Sequence, residues 1–308
     1  MLRAAFSVTA AASCALGIRN PARCAAATSD FSTSVYRGHR APLTDVKGQV
    51  VLITGATAGI GAACAMRFAE KGSKLVLVGR RQDRLDTIKK EILSIYPHVH
   101  IHTVALSVTD YDAVAALPTT LPTEFRDVDI LVNNAGLALG VATVDQNRIE
   151  DAKQVMDTNV LGTIALCSAF IPGMKKRNRG HIVNMGSVAG HFAYTTGSVY
   201  NASKYAVHGF TSAARHDLAA TPLRVTHISP GLVANTEFSN VRLKDDNKAS
   251  AVYDGIAALD PEDVADNVIY AVTRPKHVQV ADIVVYCTNQ SGPRDLARVG
   301  ASLGATPK

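Results

Sequence analysis

The 308-residue chain contains no tryptophan, and aromatic residues make up only 6% of it. A platform of stacked rings for nucleic-acid bases therefore finds no support. Cysteine is scarce at five (Cys14, Cys24, Cys64, Cys167, Cys287), with no Cys-x-x-Cys pair. A zinc ribbon and a disulfide framework are both excluded as organising principles, and small buried hydrophobes are the expected role. Proline (12) and glycine (22) are too few for a collagen-like or low-complexity chain. The longest uncharged apolar stretch, 4–18, is shorter than the about 20 residues a membrane helix needs, so no membrane span is expected.

Positive charge is in excess, with a formal net charge of +6, but it is unevenly placed. Residues 1–40 hold five arginines (Arg3, Arg19, Arg23, Arg37, Arg40), a single acid (Asp30) and ten alanines. The remaining 268 residues carry 27 basic and 25 acidic groups and are close to neutral. A polyanion-binding body is thus not expected, and nucleic acid is not an expected partner. An arginine-rich, serine-containing, acid-poor leader has the composition of a mitochondrial transit peptide. A secretory signal or a plain disordered extension are the competing readings, with secretory or cytoplasmic destinations. The expected organisation is a targeting segment at 1–40 and one domain at 41–308.

Within that domain, short Val/Ile/Leu runs alternate with helical patterns. Strands are expected at 50–54, 74–78, 101–106, 130–133, 181–185, 224–228 and 282–286, and helices at 61–71, 84–95, 147–170, 200–219 and 262–272. Strands that are nearly continuous Val/Ile/Leu runs, alternating with helices, imply a parallel sheet covered on both faces. The expected fold is α/β: a doubly wound, seven-stranded parallel Rossmann-type sheet in a single domain. The polar stretch 236–250 is expected to be a mobile loop, part of a lid at about 236–255.

The first strand runs into Thr54-Gly55-Ala56-Thr57-Ala58-Gly59-Ile60-Gly61, just ahead of a helix. Such a turn turns backbone N–H groups and a helix N-terminus toward a pyrophosphate. Glycine admits the close approach and the φ > 0 that a side chain resists. The second strand ends at Gly79-Arg80-Arg81, where an NAD site usually places a carboxylate. A carboxylate would repel a 2′-phosphate, and guanidinium groups pair with one, so NADP is the expected cofactor.

The chemistry is expected from later residues. Tyr200 and Lys204 are four apart and share a helix face. A phenol with pKa near 10 is a poor base at neutral pH. A cation about 4 Å away supplies roughly the 4 kcal/mol needed to lower it by about 3 units. Lys204 and an oxidised nicotinamide ring are the candidate cations. Ser187 follows a strand end, where open α/β sheets bind ligands, and its hydroxyl can donate to a substrate oxygen. Asn159 is a polar residue inside an apolar helical run.

Taken together, the 54–61 turn, Asn133-Asn134-Ala135-Gly136, Asn159, Ser187, Tyr200/Lys204 and Pro230-Gly231 resemble the short-chain dehydrogenase/reductase family in order and spacing, across about 47–290. The resemblance implies metal-free hydride transfer. Tyr200 would be general acid/base, Ser187 would orient the substrate oxygen, Lys204 would lower the phenol pKa and bind the ribose, and Asn159 would hold a relay water. It also implies a cofactor site built from Gly55, Thr57, Ala58, Gly59, Ile60, Gly61, Arg80, Arg81, Ser107, Val108, Asn133, Ala135, Gly136, Tyr200, Lys204, Pro230 and Gly231. Ser107-Val108 departs from the family's usual Asp-Val. The segments 79–85, 132–140, 178–190 and 230–242 look more narrowly like NADP-dependent 3-hydroxy acid dehydrogenases of the serine/allo-threonine branch. That implies a small hydroxy-acid substrate, with Arg242, Lys244 and His191 as candidate partners for its carboxylate. A 3-oxoacyl thioester or other carbonyl reductase is the alternative, and a non-catalytic nucleotide sensor is the alternative of a different class. Family habit also implies a homo-oligomer, dimer or tetramer, packed through the helices at 147–170 and 200–219.

Two features are discounted. His98, His100 and His102 alternate as on an exposed edge strand, with no carboxylate or cysteine nearby in sequence to complete a metal site. The basic run 175–179 reads as a solvated helix end. No metal site is expected.

Overall fold

The structure is a computed structural model, described here for residues 41–299. The expected targeting segment, including Cys14 and Cys24, lies outside the described residues. The domain from Leu43 onward forms one compact unit.

Seven strands, β1 (Val50–Thr54), β2 (Lys74–Gly79), β3 (Ile101–Ala105), β4 (Val128–Asn133), β5 (His181–Met185), β6 (Arg224–Pro230) and β7 (Asp282–Val285), form one sheet in the order β3-β2-β1-β4-β5-β6-β7. Every pairing is parallel. The strand order reverses between β1 and β4, which opens a crevice at their carboxyl ends. β1, β4, β5 and β6 are buried along their whole length, which favours their Val/Ile/Leu content.

Helices α1 (Gly59–Glu70), α2 (Gln82–Ile95) and α9 (Pro261–Thr273) cover one face with Phe68, Leu85, Ile92, Val264 and Val268. Helices α3 (Tyr111–Thr120) and α5 (Gly162–Arg177) cover the other with Val114, Leu117, Leu166, Phe170 and Met174. α4 (Ile149–Met156) continues through a π-turn (Asp157–Leu161) into α5. That 29-residue rod is long and apolar enough, by length and composition, to cross a membrane. In the domain, its α5 half is the floor of the second core, as a core helix should be.

Three departures from the sequence expectations have local causes. α3 was not expected, because Pro118 interrupts its pattern; Asp110 nonetheless caps its start by accepting from the Ala113 N–H at 3.1 Å. The expected loop at 236–250 instead contains two short helices, α7 (Phe238–Leu243) and α8 (Asp246–Ala251). α7 ends on Lys244 in the left-handed region (φ 52°), and Asp245 caps α8 by accepting from the Lys248 N–H at 3.1 Å. The alternating histidines are not one strand face: only His102 lies in β3, stacked on Phe125. β3 is an edge strand, as expected, but His100 does meet a carboxylate, Glu124, at 2.8 Å. Cys64, Cys167 and Cys287 are free and buried, and burial pushes the first two thiols up to about 12.

Candidate active site

A cleft of about 500 Å³ opens over the carboxyl ends of β1, β2, β4, β5 and β6. Its phosphate end is the β1–α1 turn. Gly55 and Gly59 adopt φ of 65° and 53°, the left-handed region that favours glycine. Gly61 sits elsewhere than expected: a Cβ there would lie 2.2 Å from the Gly55 carbonyl oxygen, so its role is to let α1 close on the turn, and it does not line the cleft. α1 starts at Ala58 with no side-chain cap and no acid in its first turn. Its leading N–H groups therefore face the cleft without a competing side-chain anion, which suits phosphate.

Arg80 and Arg81 both line the cleft beside Thr57. Arg81 donates to both carboxylate oxygens of Glu237 at 2.7 and 3.1 Å, and to Thr57 Oγ1 at 3.2 Å. No carboxylate among the described residues is paired with Arg80. The ion pair holds the Glu237 carboxyl below its usual range. Ser107 and Val108 line the neighbouring wall; the Ser107 hydroxyl is already bonded to Thr109 Oγ1 at 2.8 Å.

The Asn-Asn-Ala-Gly segment divides differently from expectation. Asn133, the last residue of β4, points into the sheet, where Nδ2 donates to Asn184 Oδ1 at 2.8 Å; it does not line the cleft. The lining residue is Asn134, whose Nδ2 donates to the Thr54 carbonyl at 2.9 Å. Thr54 Oγ1 accepts from the Asn134 and Ala135 N–H groups at 3.0 Å each. These bonds tie the β4 loop to the glycine turn, with Ala135 and Gly136 in the wall.

The remaining expected residues converge. Ser187 caps the short 3₁₀ turn after β5 (Val188–Gly190), its Oγ accepting from the Ala189 N–H at 3.1 Å. Ser187 Oγ also donates to the Pro230 carbonyl at 3.5 Å. Tyr200 and Lys204 lie on one face of α6 (Ser198–Asp217). The Lys204 ammonium is 5.8 Å from the Tyr200 ring centroid and donates to the Met185 carbonyl at 2.9 Å. Burial lowers Lys204 to about 8. Burial and Tyr194 push the Tyr200 phenol above its ordinary value, while Ser187 and the Arg242 guanidinium pull it down. The Arg242 guanidinium is a cation that pulls the phenol down here.

Asn159 sits in the π-turn, a frequent device at functional sites. Its Oδ1 accepts from the Leu137 N–H at 2.8 Å, and its Nδ2 donates to the Leu137 carbonyl and to Ser203 Oγ at 2.8 and 3.0 Å. Both amide donors are therefore engaged within the protein, and Asn159 does not line the cleft. Its visible work is to fix Leu137 and the start of α6 against each other.

The lid covers the opposite wall. Phe238 packs on Tyr200 at 5.5 Å between ring centroids, and Thr236 approaches Gly59. Of the three candidate carboxylate partners, only Arg242 reaches the cleft; Lys244 ends α7, and His191 lies in a separate histidine cluster. Arg242 donates to the Tyr194 hydroxyl at 2.9 Å and lies 5.8 Å from the Tyr200 ring centroid. Arg294, from the C-terminal segment, stacks on the same Tyr194 at 4.9 Å and also lines the cleft. Sequence reasoning missed Arg294, because nothing local marks a residue that reaches the site from beyond β7. Pro230 and Gly231 end β6; a Cβ on Gly231 would lie 2.1 Å from the Gln290 side-chain oxygen, so this glycine admits that same C-terminal segment.

A crevice at the strand-order reversal, a glycine turn feeding an uncapped helix, and Ser187, Tyr200 and Lys204 at its floor are the parts of a nucleotide-dependent dehydrogenase. The chain matches the short chain dehydrogenase family over residues 49–247 and belongs to it. Among curated proteins it is 44% identical to the NADP-dependent 3-hydroxy acid dehydrogenase of Salmonella typhi over 243 residues, which cover 79% of this chain and 96% of that one. It is 40% identical to the NADP-dependent 3-hydroxy acid dehydrogenase of Schizosaccharomyces pombe over 258 residues, or 83% and 99% of the two chains. Among solved structures, the closed form of serine dehydrogenase complexed with NADP+ superposes with a TM-score of 0.75 at 41% identity, covering 84% of this chain and all of the other.

Proposed function

We propose that the protein is an NADP-dependent dehydrogenase that moves a hydride between the nicotinamide and the hydroxyl-bearing carbon of a small 3-hydroxy acid of the serine or allo-threonine type. The dinucleotide, when bound, takes up or supplies that hydride. The uncapped α1 N-terminus suits its pyrophosphate, Arg80 and Arg81 suit a 2′-phosphate, and Lys204 has two N–H donors beyond its bond to Met185 for a ribose. Tyr200 exchanges the substrate hydroxyl proton, Ser187 orients that oxygen, and Asn159 is a positioning residue for the floor.

The observation that carries the substrate class is that Arg242 and Arg294 both line the cleft and both lie over Tyr194. Neither is ion-paired with a carboxylate among the described residues, and Arg242 is close to the Tyr200 ring. Guanidinium groups lining the cleft suit a substrate carboxylate and give a neutral thioester no comparable partner. A charge-assisted hydrogen bond contributes about 1.5–3 kcal/mol. Arg242→Gln and Arg294→Gln are therefore expected to raise KM for serine, allo-threonine or 3-hydroxybutyrate about 10- to 100-fold, with little effect on an uncharged alcohol or ketone. Equal losses on charged and uncharged substrates, or activity confined to an acetoacetyl thioester, would remove the hydroxy-acid assignment.

The arginine-rich, acid-poor composition of 1–40 supports a mitochondrial destination. Leu161 and Tyr205, large and exposed at the π-turn and on α6, support a homo-oligomer through that side of the domain, as a dimer or tetramer.

A further inference from the structure

Behind the floor of the cleft, four groups from four elements converge. His191 follows the 3₁₀ turn, His208 lies on α6, His227 on β6, and Asp282 opens β7. One ligand atom from each lies within 4.8 Å of the others. His227 Nδ1 is 3.1 Å from Asp282 Oδ1, while His191 Nε2 and His208 Nε2 are 3.5 and 3.6 Å from Asp282 Oδ2. None of the four lines the cleft. We propose that His191, His208, His227 and Asp282 form a binding site for one divalent transition-metal ion of the zinc class, separate from the catalytic cleft.

The donor set is the first argument. Three imidazoles and a carboxylate match the ligands and the four-fold coordination zinc prefers. At metal–ligand bonds of about 2.0–2.1 Å, tetrahedral ligands stand about 3.4 Å apart, so closure around an ion needs movements on the order of 1 Å.

Ring orientation is the second. His208 Nδ1 faces the Gly190 carbonyl at 3.3 Å. An N–H donated there leaves the Nε2 lone pair directed at the Asp282 carboxylate. That lone pair is available to a cation, and a second nitrogen donating to a backbone carbonyl is the usual support of a metal-ligating histidine. Ser229 Oγ, 2.9 Å from His191 Nε2 and 3.0 Å from His227 Nδ1, now bridges the two nitrogens that face Asp282, and a bound ion would take its place between them.

Placement of the rings is the third. His227 is fully buried between strands, so its nitrogen is fixed in place. The side chains of His208 and Asp282 are 32% and 26% exposed, which gives an ion a route from solvent. The His208 and His227 rings lie nearly parallel, 6° apart, so a shared ion requires His208 to turn, and its exposed position permits that.

The site is tested on the full-length protein freed of metal by chelator dialysis and titrated with Co²⁺, then Zn²⁺. One equivalent of Co²⁺ is expected to give the strong visible absorption of a tetrahedral site, and Zn²⁺ to abolish it. His208→Ala and His191→Ala are expected to weaken binding at least about 10-fold. Unchanged circular dichroism and dinucleotide binding would show that the variants are folded. Absence of a saturable band overturns the proposal, as do folded His208→Ala and His191→Ala proteins that titrate like the parent. Loss of binding in His100→Ala instead would place the ion at the β3 edge and overturn it too.

Discussion

At the residue scale, Lys204 is the most informative side chain. Its ammonium is buried, lowered to about 8, and bonded to a strand-end carbonyl. A lysine that titrates there is charged at pH 7 and neutral by pH 9.5. Binding of the dinucleotide ribose by the charged form is thus present below about 8 and lost above it. Dissociation constants for NADP+ are expected to rise several-fold between pH 7 and 9.5, and the rise to be flattened in Lys204→Arg, whose guanidinium stays charged. Constant affinity across that range would mean that Lys204 does not carry the interaction. Motif reading identified this lysine because Tyr-x-x-x-Lys is a local pattern. It misassigned Asn133, because an Asn-Asn pair at a strand end does not reveal which side chain turns into the sheet; here the last strand residue stays in the interior and Asn134 faces the cleft. The guanidinium of Arg242, 42 residues beyond Tyr200, also pulls the phenol down, and no local motif points to that neighbour.

At the element scale, an ion pair ties the lid to the cofactor side. Glu237, just before α7, occupies Arg81, a residue suited to the 2′-phosphate. The two side chains are 43% and 44% exposed, so the pair contributes at most ~1 kcal/mol. Glu237→Ala is expected to tighten NADPH binding by up to ~5-fold, since the phosphate then meets an unpaired guanidinium, and to leave NADH binding unchanged. An equal gain for both dinucleotides would assign the effect to lid opening. Elements were legible in proportion to their regularity. β1 and β5 were legible to the residue, because each has a short apolar centre bounded by glycines or turn residues. α3, with an internal proline, and the six-residue α7 and α8 carry no periodicity long enough to read. The π-turn around Asn159 leaves no sequence signature at all.

At the scale of the whole molecule, acid stability is set by histidines kept neutral. Burial and the nearby Arg224 charge hold His181 well below the usual imidazole value, and burial lowers His227. Their folded-state pKa lies below the unfolded one, so their contribution is complete above about pH 6.5 and fades as pH falls, when the unfolded chain binds protons that the folded one refuses. Urea midpoints are expected to drop between pH 6.5 and 5, with a slope of up to ~1.4 kcal/mol per pH unit for each such histidine. A smaller slope is expected in His181→Gln. A flat profile over that range would show that the rings are accommodated charged. The global topology was legible because alternating apolar runs admit few arrangements. The histidine cluster was not, since its members span positions 191 to 282 and only the sheet brings them together.

The bare start of α1 has a consequence for folding as well as for binding. A helix whose leading N–H groups have no side chain to accept from them has left part of its hydrogen bonding to an outside molecule. The dinucleotide phosphate then acts as a missing structural piece, and the ligand-free and loaded proteins should differ in durability. Linkage gives about 2.7 kcal/mol at a ligand concentration 100 times the dissociation constant. Melting temperatures should therefore climb with NADP+ concentration, and climb less with NAD+, which offers the same pyrophosphate but nothing to Arg80 and Arg81. A thermal midpoint indifferent to either dinucleotide would mean that this helix end is complete without one.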